Sequence, residues 1–325
     1  MKKLKLAVAG VAAALLLSGC GGGSPSGSTS SSAAAGGDGV RNISVGVISI
    51  APSAAVQLGI DEGIFEKHKL KVELQSGQGG AAMLPAVSTG TMNFSVGNPL
   101  SVLLAKNKGL DMKIVSGFSN SLPTGNDING VVAKANSGIT TAKDLVGKKV
   151  AVNTINAQGD LTIKEVVSKQ GGDPGGVQFL ELPFQDMGAQ LAQGNVDAVW
   201  VPEPFLSGLL ADGNKLVTYN NQEAIPGLPT MVTFTSGSYA QQNPQEVADF
   251  KAAMTETLAL AQSNPDKVRA LLPAFMKMPE SVAKNLRLEA FDGKLDAGTL
   301  GKLGDLMAKY GIVPSAPDVS GTILK

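Results

Sequence analysis

The chain has 325 residues, 27 basic and 27 acidic side chains and a formal charge of zero. That balance marks neither a nucleic-acid partner nor a cationic membrane-binding surface beyond any anchor. One cysteine and one histidine exclude an internal disulfide, a cysteine-based metal site and a multi-histidine zinc site.

In chain order, Lys2, Lys3 and Lys5 precede an apolar run from Leu6 to Leu17, about half the length of a membrane-spanning helix. This reads as a secretion leader, residues 1–19. It ends in Leu17-Ser18-Gly19-Cys20, which resembles the lipobox of bacterial lipoproteins, so Cys20 is the expected site of lipidation and membrane attachment. Residues 20–39 are nearly all Gly, Ser, Ala and Thr, a composition that cannot bury a core and reads as a flexible tether with a reach of ~25 Å. The folded body starts near Val40 and is long enough for two domains.

From Arg41, β-rich runs alternate with helical patterns, the signature of mainly parallel sheets flanked by helices. Predicted strands are 43–50, 70–74, 93–96 and 113–115, with helices 54–62, 81–88 and 101–106 between them. Gly63, Gly90 and Gly109 follow those helices as left-handed caps. A second unit begins with a strand at 131–134 and a short helix opened by Thr141-Ala-Lys-Asp144 and closed by Gly147. It continues with strand 149–153, helix 161–169, strand 178–182, helix 187–193 and strand 196–201. Ser88-Thr-Gly90-Thr-Met-Asn93 and Ala192-Gln-Gly194-Asn-Val-Asp197 carry the same grammar: helix end, glycine cap, polar residue opening a strand. After Asn243-Pro244-Gln245-Glu246, a helix start, Phe250, Met254, Leu258 and Ala261 share one apolar face.

Gln57-Leu-Gly-Ile-Asp-Glu-Gly63-Ile-Phe65, followed by Leu70-Lys-Val-Glu-Leu74, resembles the opening of the nitrate, sulfonate, taurine and thiamine-precursor binding proteins of ABC importers. The likeness continues through Gly77-Gln-Gly-Gly80, Ser88-Thr-Gly90, Asp144 to Val150, Gly194-Asn-Val-Asp197 and Glu203-Pro204, and spans roughly residues 43–205. Asn93 stands where such proteins often carry Asp, and His68 where Gly is common. The resemblance implies a type II periplasmic-binding-protein fold: two α/β lobes, a ligand cleft between them and closure by hinge motion. Lobe I would take residues 40–118 and 236–325, and lobe II residues 119–235, with crossovers near 118–130 and 227–236. It also implies a membrane permease as partner, a monomer, and binding without a cofactor, metal or catalytic residues.

In open parallel sheets the ligand lies beyond the carboxyl ends of the strands, where helix N-termini present free N–H groups. That rule selects Ser49, Pro52 and Ser53; Gln78, Gly79 and Gly80; Gly97 and Asn98; Asn153, Thr154, Gln158 and Asp160; and Trp200 with Glu203. Several of these residues also fit plain structural roles: the Gly77–Gly80 loop as a tight turn, Asn98 and Ser53 as helix caps, Trp200 as core, Glu203 as a hinge residue. Phe118 and Phe184 read as core, and His68, within Glu66-Lys-His-Lys69, as a solvated surface residue with no catalytic triad around it. None of the three arginines (Arg41, Arg269, Arg287) falls at a predicted cleft-facing strand end, so an anion would be held by neutral donors and helix dipoles. The expected function is delivery of a small organic anion (sulfonate, taurine-like, nitrate or carboxylate) to an importer. A thiamine-type heterocycle stacked on Trp200, an envelope enzyme and a ligandless structural lipoprotein are the alternatives.

Overall fold

The computed structural model describes residues 39–325; the leader, Cys20 and nearly all of the tether lie outside them. The chain runs β1 (Arg41–Ile48), α1 (Ala54–Asp61), α2 (Ile64–Lys67), β2 (Leu70–Gly77), α3 (Gly80–Ser88), β3 (Phe94–Gly97), α4 (Pro99–Asn107) and β4 (Met112–Asn120). It continues with β5 (Asn129–Ala133), β6 (Lys149–Val152), α5 (Gln158–Lys169), β7 (Gln178–Glu181), α6 (Phe184–Gln193), β8 (Ala198–Pro202), α7 (Phe205–Ala211), β9 (Lys215–Thr218) and α8 (Asn220–Ala224). The remainder is β10 (Pro229–Ser236), α9 (Gly237–Gln242), α10 (Pro244–Ser263), α11 (Pro265–Met276), α12 (Glu280–Ala283), β11 (Ala290–Phe291) and α13 (Ala297–Lys309).

Two sheets result, in the orders β11-β4-β10-β3-β1-β2 and β7-β6-β8-β5-β9. In the first, β1 pairs in parallel with β2 and β3, while β10 runs antiparallel to β3 and β4. In the second, β6 pairs in parallel with β7 and β8, while β5 runs antiparallel to β8 and β9. Apart from the short edge strand β11, which has no counterpart, the two orders match, and each includes an antiparallel strand that enters from the other sheet's side of the chain. The sheets are therefore mixed. Residues 121–128 and 219–228 make the passages between them, because β10, expected as part of a crossover, is hydrogen-bonded into the first sheet on both sides.

The local grammar read from the sequence has a visible cause. Gly63, Gly90 and Gly109 all have positive φ (65°, 77° and 91°), a conformation that costs a side chain but not glycine. Asn93 Oδ1 accepts the Ser44 backbone N–H at 2.7 Å and the Ser44 hydroxyl at 3.0 Å, tying the start of β3 to β1. Asp197 Oδ2 does the same for the second sheet, accepting the Lys149 N–H at 2.8 Å. One carboxyl or carboxamide oxygen suffices for this tie, which is why Asn serves at 93 where Asp is common. His68 stands on the surface, 3.3 Å from Glu256.

The long helix α10 lays Phe250, Met254, Leu258 and Ala261, all fully buried, on the first sheet, with Phe250 stacked on Phe94 at 3.9 Å between ring centres. Burying such a side chain contributes about 1.5–3 kcal/mol. Asn243 precedes α10 but does not cap it with its side chain; its amide donates back to the Tyr239 carbonyl at 3.3 Å. The C-terminal helix α13 packs on both α4 and α5, and Lys309 and Tyr310 meet Glu165 at 2.6 and 2.8 Å. Among the described residues no helix is long and apolar enough to cross a membrane.

Replacing Asn93 by Ala removes the oxygen that joins β3 to β1 and leaves the half-buried Ser44 N–H without its partner. It is expected to destabilise the fold by about 1–3 kcal/mol in chemical denaturation, whereas Asn93→Asp stays within about 0.5 kcal/mol of the parent.

Candidate functional site

The first residues of an antiparallel strand lie at the sheet edge where its parallel neighbours end. Asn129, opening β5, sits opposite Pro202 at the end of β8, and Pro229-Thr230 open β10 beside the end of β3. Both sheets therefore present strand ends, helix starts and the two passages to one junction, and there lies a small cavity of about 40 Å³, measured as the space open to the centre of a water molecule. Its polar lining is Asn98, Asn129, Asn153, Gln158, Asn221, Thr230 and Glu289. Its apolar lining is Ile48, Ile50, Phe184, Trp200, Pro202 and Met231.

The polar groups are mostly donors. Asn98 Oδ1 accepts the Ser101 backbone N–H at 2.9 Å as the cap of α4, which fixes the amide and leaves its NH2 free. Asn221 Oδ1 accepts the Asn220 NH2 at 3.4 Å, while the nearby Thr162 hydroxyl gives its one hydrogen to the Gln158 carbonyl at 2.7 Å. Gln158, at the first turn of α5 and 2 % exposed, has neither amide atom partnered, and the Trp200 indole N–H is likewise buried and without an acceptor. Gly159 explains how the indole is held. A Cβ there would stand 2.5 Å from the ring, so α5 packs its backbone onto the face of Trp200. Phe184 closes another side, 5.8 Å between ring centres. The lining thus combines side-chain amides, the indole and one carboxyl, Glu289, with no cation among its residues.

Of the sequence-selected residues, Asn98, Asn153, Gln158 and Trp200 meet in this cavity. Trp200 is at once core and wall: it is buried, with Gly159 against one face of its ring, and belongs to the cavity lining. Gly79 faces the second sheet across the junction, where a Cβ would stand 3.1 Å from Asn153 Nδ2 and 3.5 Å from Thr154 Oγ1. Gly80 and Gly97 have a different purpose: their backbones touch, a Cβ on Gly80 coming within 2.9 Å of Gly97 Cα, so they let α3 approach the end of β3. Ser49 and Gln78 line a wider outer space of about 610 Å³ that shares Ile48 and Phe184 with the cavity and is walled by Phe205, Phe275 and Met276. Pro52 and Ser53 are buried ahead of α1, the Ser53 hydroxyl without a partner, and Thr154 lines a separate surface hollow beside α3 and α4.

Two selected carboxylates do not reach the cavity. Asp160 Oδ1 accepts the Ala157 N–H at 2.8 Å and Oδ2 the Asn156 N–H at 3.2 Å, spending both oxygens on the start of its own helix. Glu203 accepts the Ser207 N–H at 2.9 Å and the Ser207 hydroxyl at 2.7 Å, capping α7, and pairs with Arg287 at 3.4 Å. Burial raises the pKa of both, and the capping hydrogen bonds oppose it. The carboxyl that does line the cavity is Glu289, which strand-end reasoning missed together with Asn129, Asn221 and Thr230. Three of these sit where antiparallel or crossing segments start. Inspecting the first residues of a returning strand, rather than only the last residues of parallel ones, finds Asn129 and Thr230; no sequence signal marks Glu289.

Two α/β lobes of matching strand order with a donor-lined cavity at their junction define a periplasmic-binding-protein fold. The chain belongs to the NMT1/THI5-like family, whose description matches residues 52–268. It is similar to the taurine-binding periplasmic protein of Escherichia coli K12, with 25% identity over 252 residues that cover 76% of this chain and 72% of that one. Its fold superimposes on the alkanesulfonate-binding protein SsuA from Xanthomonas axonopodis pv. citri bound to MOPS, with a TM-score of 0.74 at 19% identity, covering 87% of this chain and 98% of that one. It also superimposes on the periplasmic nitrate-binding protein NrtA from Synechocystis PCC 6803, with a TM-score of 0.71 at 14% identity, covering 87% and 86%.

Gln158→Leu separates a binding role from a structural one. It removes a buried amide that has no partner in the fold, so thermal stability is expected to stay level or rise by about 1 kcal/mol. A binding role for that amide predicts that affinity for a ligand falls by about tenfold or more, as read by calorimetry.

Proposed function

We propose that this chain is an extracytoplasmic solute-binding protein, held to the membrane by lipid on Cys20, that delivers a small organic anion of the aliphatic sulfonate class to an ABC permease. The single observation that carries the ligand reading is the pair of buried, unpartnered donors Gln158 Nε2 and Trp200 Nε1, on residues that line one cavity with further side-chain amides. A buried donor without an acceptor costs about 1–3 kcal/mol, and a bound oxyanion removes that cost. An anion held only by neutral donors needs no counter-charge when several dipoles converge on it. Kinship with a taurine-binding protein, and a fold shared with sulfonate- and nitrate-binding proteins, supports the same class.

The cavity takes the oxygen-bearing head, and the adjoining aromatic space beside Phe205 and Phe275 takes the substituent. A heterocycle stacked on Trp200 fits less well, since Gly159 already occupies a face of that indole. The two passages, residues 121–128 and 219–228, are the proposed hinge about which the lobes close.

In a thermal-shift panel, ethanesulfonate is expected to stabilise the protein by about 2.7 kcal/mol at a hundred times its Kd and to change the fluorescence of the sole tryptophan. Taurine is expected to bind more weakly, because Asp160 and Glu203 are committed to helix caps and leave its ammonium without an ionised partner. Silence of both readouts across sulfonates, nitrate and carboxylates sinks the ligand reading. The anchor is tested separately: Cys20→Ser is expected to move the protein from the membrane to the soluble fraction, and mass spectrometry of the parent to find lipid on Cys20.

A further inference from the structure

Glu289 is contributed by the segment between α12 and β11, is 5 % exposed and forms part of the cavity wall. Its surroundings can be checked by counting hydrogens. Asn129 Nδ2 donates to Oε1 at 3.3 Å, and Thr230 Oγ1 lies 3.0 Å from Oε2. The Thr230 hydroxyl has one hydrogen, yet it also stands 3.0 Å from the Ser119 carbonyl, which can only accept, and 3.0 Å from the Ser119 hydroxyl. If the Thr230 hydrogen serves the carbonyl, the contact with Oε2 needs a hydrogen of Glu289's own. A protonated Glu289 closes the set: Oε2–H donates to Thr230 Oγ1, Thr230 O–H to the Ser119 carbonyl, and Ser119 O–H to the second lone pair of Thr230.

Among the described residues no cation stands against this carboxyl. Arg287, two residues earlier, is turned to Glu203 at 3.4 Å and to the Tyr219 hydroxyl at 3.2 Å. The charged group that does act on it is Asp127, on the passage between β4 and β5, whose own oxygens are taken by the Ser121 hydroxyl and the Leu122 N–H. The remaining neighbours Ser119, Thr230 and Asn129 are neutral.

Resting on the anion reading above, we propose that Glu289 is the proton-carrying wall of the site: the anion binds to the form in which Glu289 is an uncharged acid, so anion and proton enter together. An ionised Glu289 would put a second negative charge in a cavity that has no cation to offset it. Burial pushes this carboxyl up to about 7, with the Asp127 charge pushing the same way; the Ser119 and Thr230 hydroxyls, which can turn to donate to the ionised form, and the Asn129 amide oppose. The sign follows. Below that pH Glu289 is already neutral and affinity is at its plateau; above it each anion that binds takes up a proton, and affinity falls by up to about tenfold per pH unit.

Calorimetry of ethanesulfonate, nitrate and acetate from about pH 6 to about pH 9, in buffers of different ionisation enthalpy, reads this directly. None of the three changes its own charge in that range. The expected result is proton uptake that grows from near zero to about one per anion as pH rises, with Kd rising in step. Glu289→Gln, an uncharged isostere that keeps a donor, is expected to retain the low-pH affinity and to flatten the profile. Binding of any of these anions with pH-independent affinity and no proton uptake overturns the inference and leaves the solute-binding reading standing. Affinity that rises with pH overturns it as well, because the anion then prefers the site with Glu289 ionised. Failure of all three to bind at every pH overturns it together with the anion reading. The wild-type measurement decides the matter even if the variant does not fold.

Discussion

Each sheet of this protein is completed by a strand that the other part of the chain supplies, and the rest of the architecture depends on that exchange. The strand β10 lies between β3 and β4, and β5 lies between β8 and β9, so the chain must pass twice between the sheets. Both strands run against their parallel neighbours, and their first residues therefore arrive at the same edge as the carboxyl ends of β1, β3, β6 and β8. Strand ends, helix starts and both passages converge, and backbone and side-chain polar groups accumulate in one buried place. A functional site at the junction is a consequence of connectivity before any particular side chain is considered.

Most of the polar groups brought there are satisfied within the fold, and the satisfied ones fix the orientation of those that are not. The Ser101 N–H takes the oxygen of Asn98, and the Asn220 NH2 takes that of Asn221, so their amide groups are oriented by hydrogen bonds rather than by chance. Gly159 and Phe184 clamp the indole of Trp200 and point its N–H. Donors held in place before the ligand arrives lose little freedom on binding, which favours affinity in a small site. The orphaned amide of Gln158 lowers the stability of the fold, and it is the group that the proposed ligand would satisfy. The carboxylates at Asp160 and Glu203 follow the opposite logic: each is absorbed by the start of a helix, where free N–H groups outcompete a distant ligand.

The alternation of strands and helices, the glycine caps at 63, 90 and 109, and the ties made by Asn93 and Asp197 were legible because each depends on residues close together in sequence or on a periodic pattern. Four of the cavity residues, Asn98, Asn153, Gln158 and Trp200, were legible for a related reason: a parallel strand followed by a helix always turns its carboxyl end toward the ligand edge. The same rule misassigned Asp160 and Glu203, since it places a residue near the edge without saying which N–H its side chain will find.

The sequence by itself determined the class of fold, the order of its units and the strand ends where a site would form, because local propensity and repeated grammar suffice for these. Only the tertiary structure decided that β10 joins the first sheet, that Asn129, Asn221 and Thr230 complete the wall, and that Glu289, from a segment without strand or helix pattern of its own, supplies its carboxyl. Those outcomes rest on contacts between residues as much as 160 positions apart, as in the bond from Asn129 to Glu289, and no local pattern encodes which distant partner a buried polar group will meet.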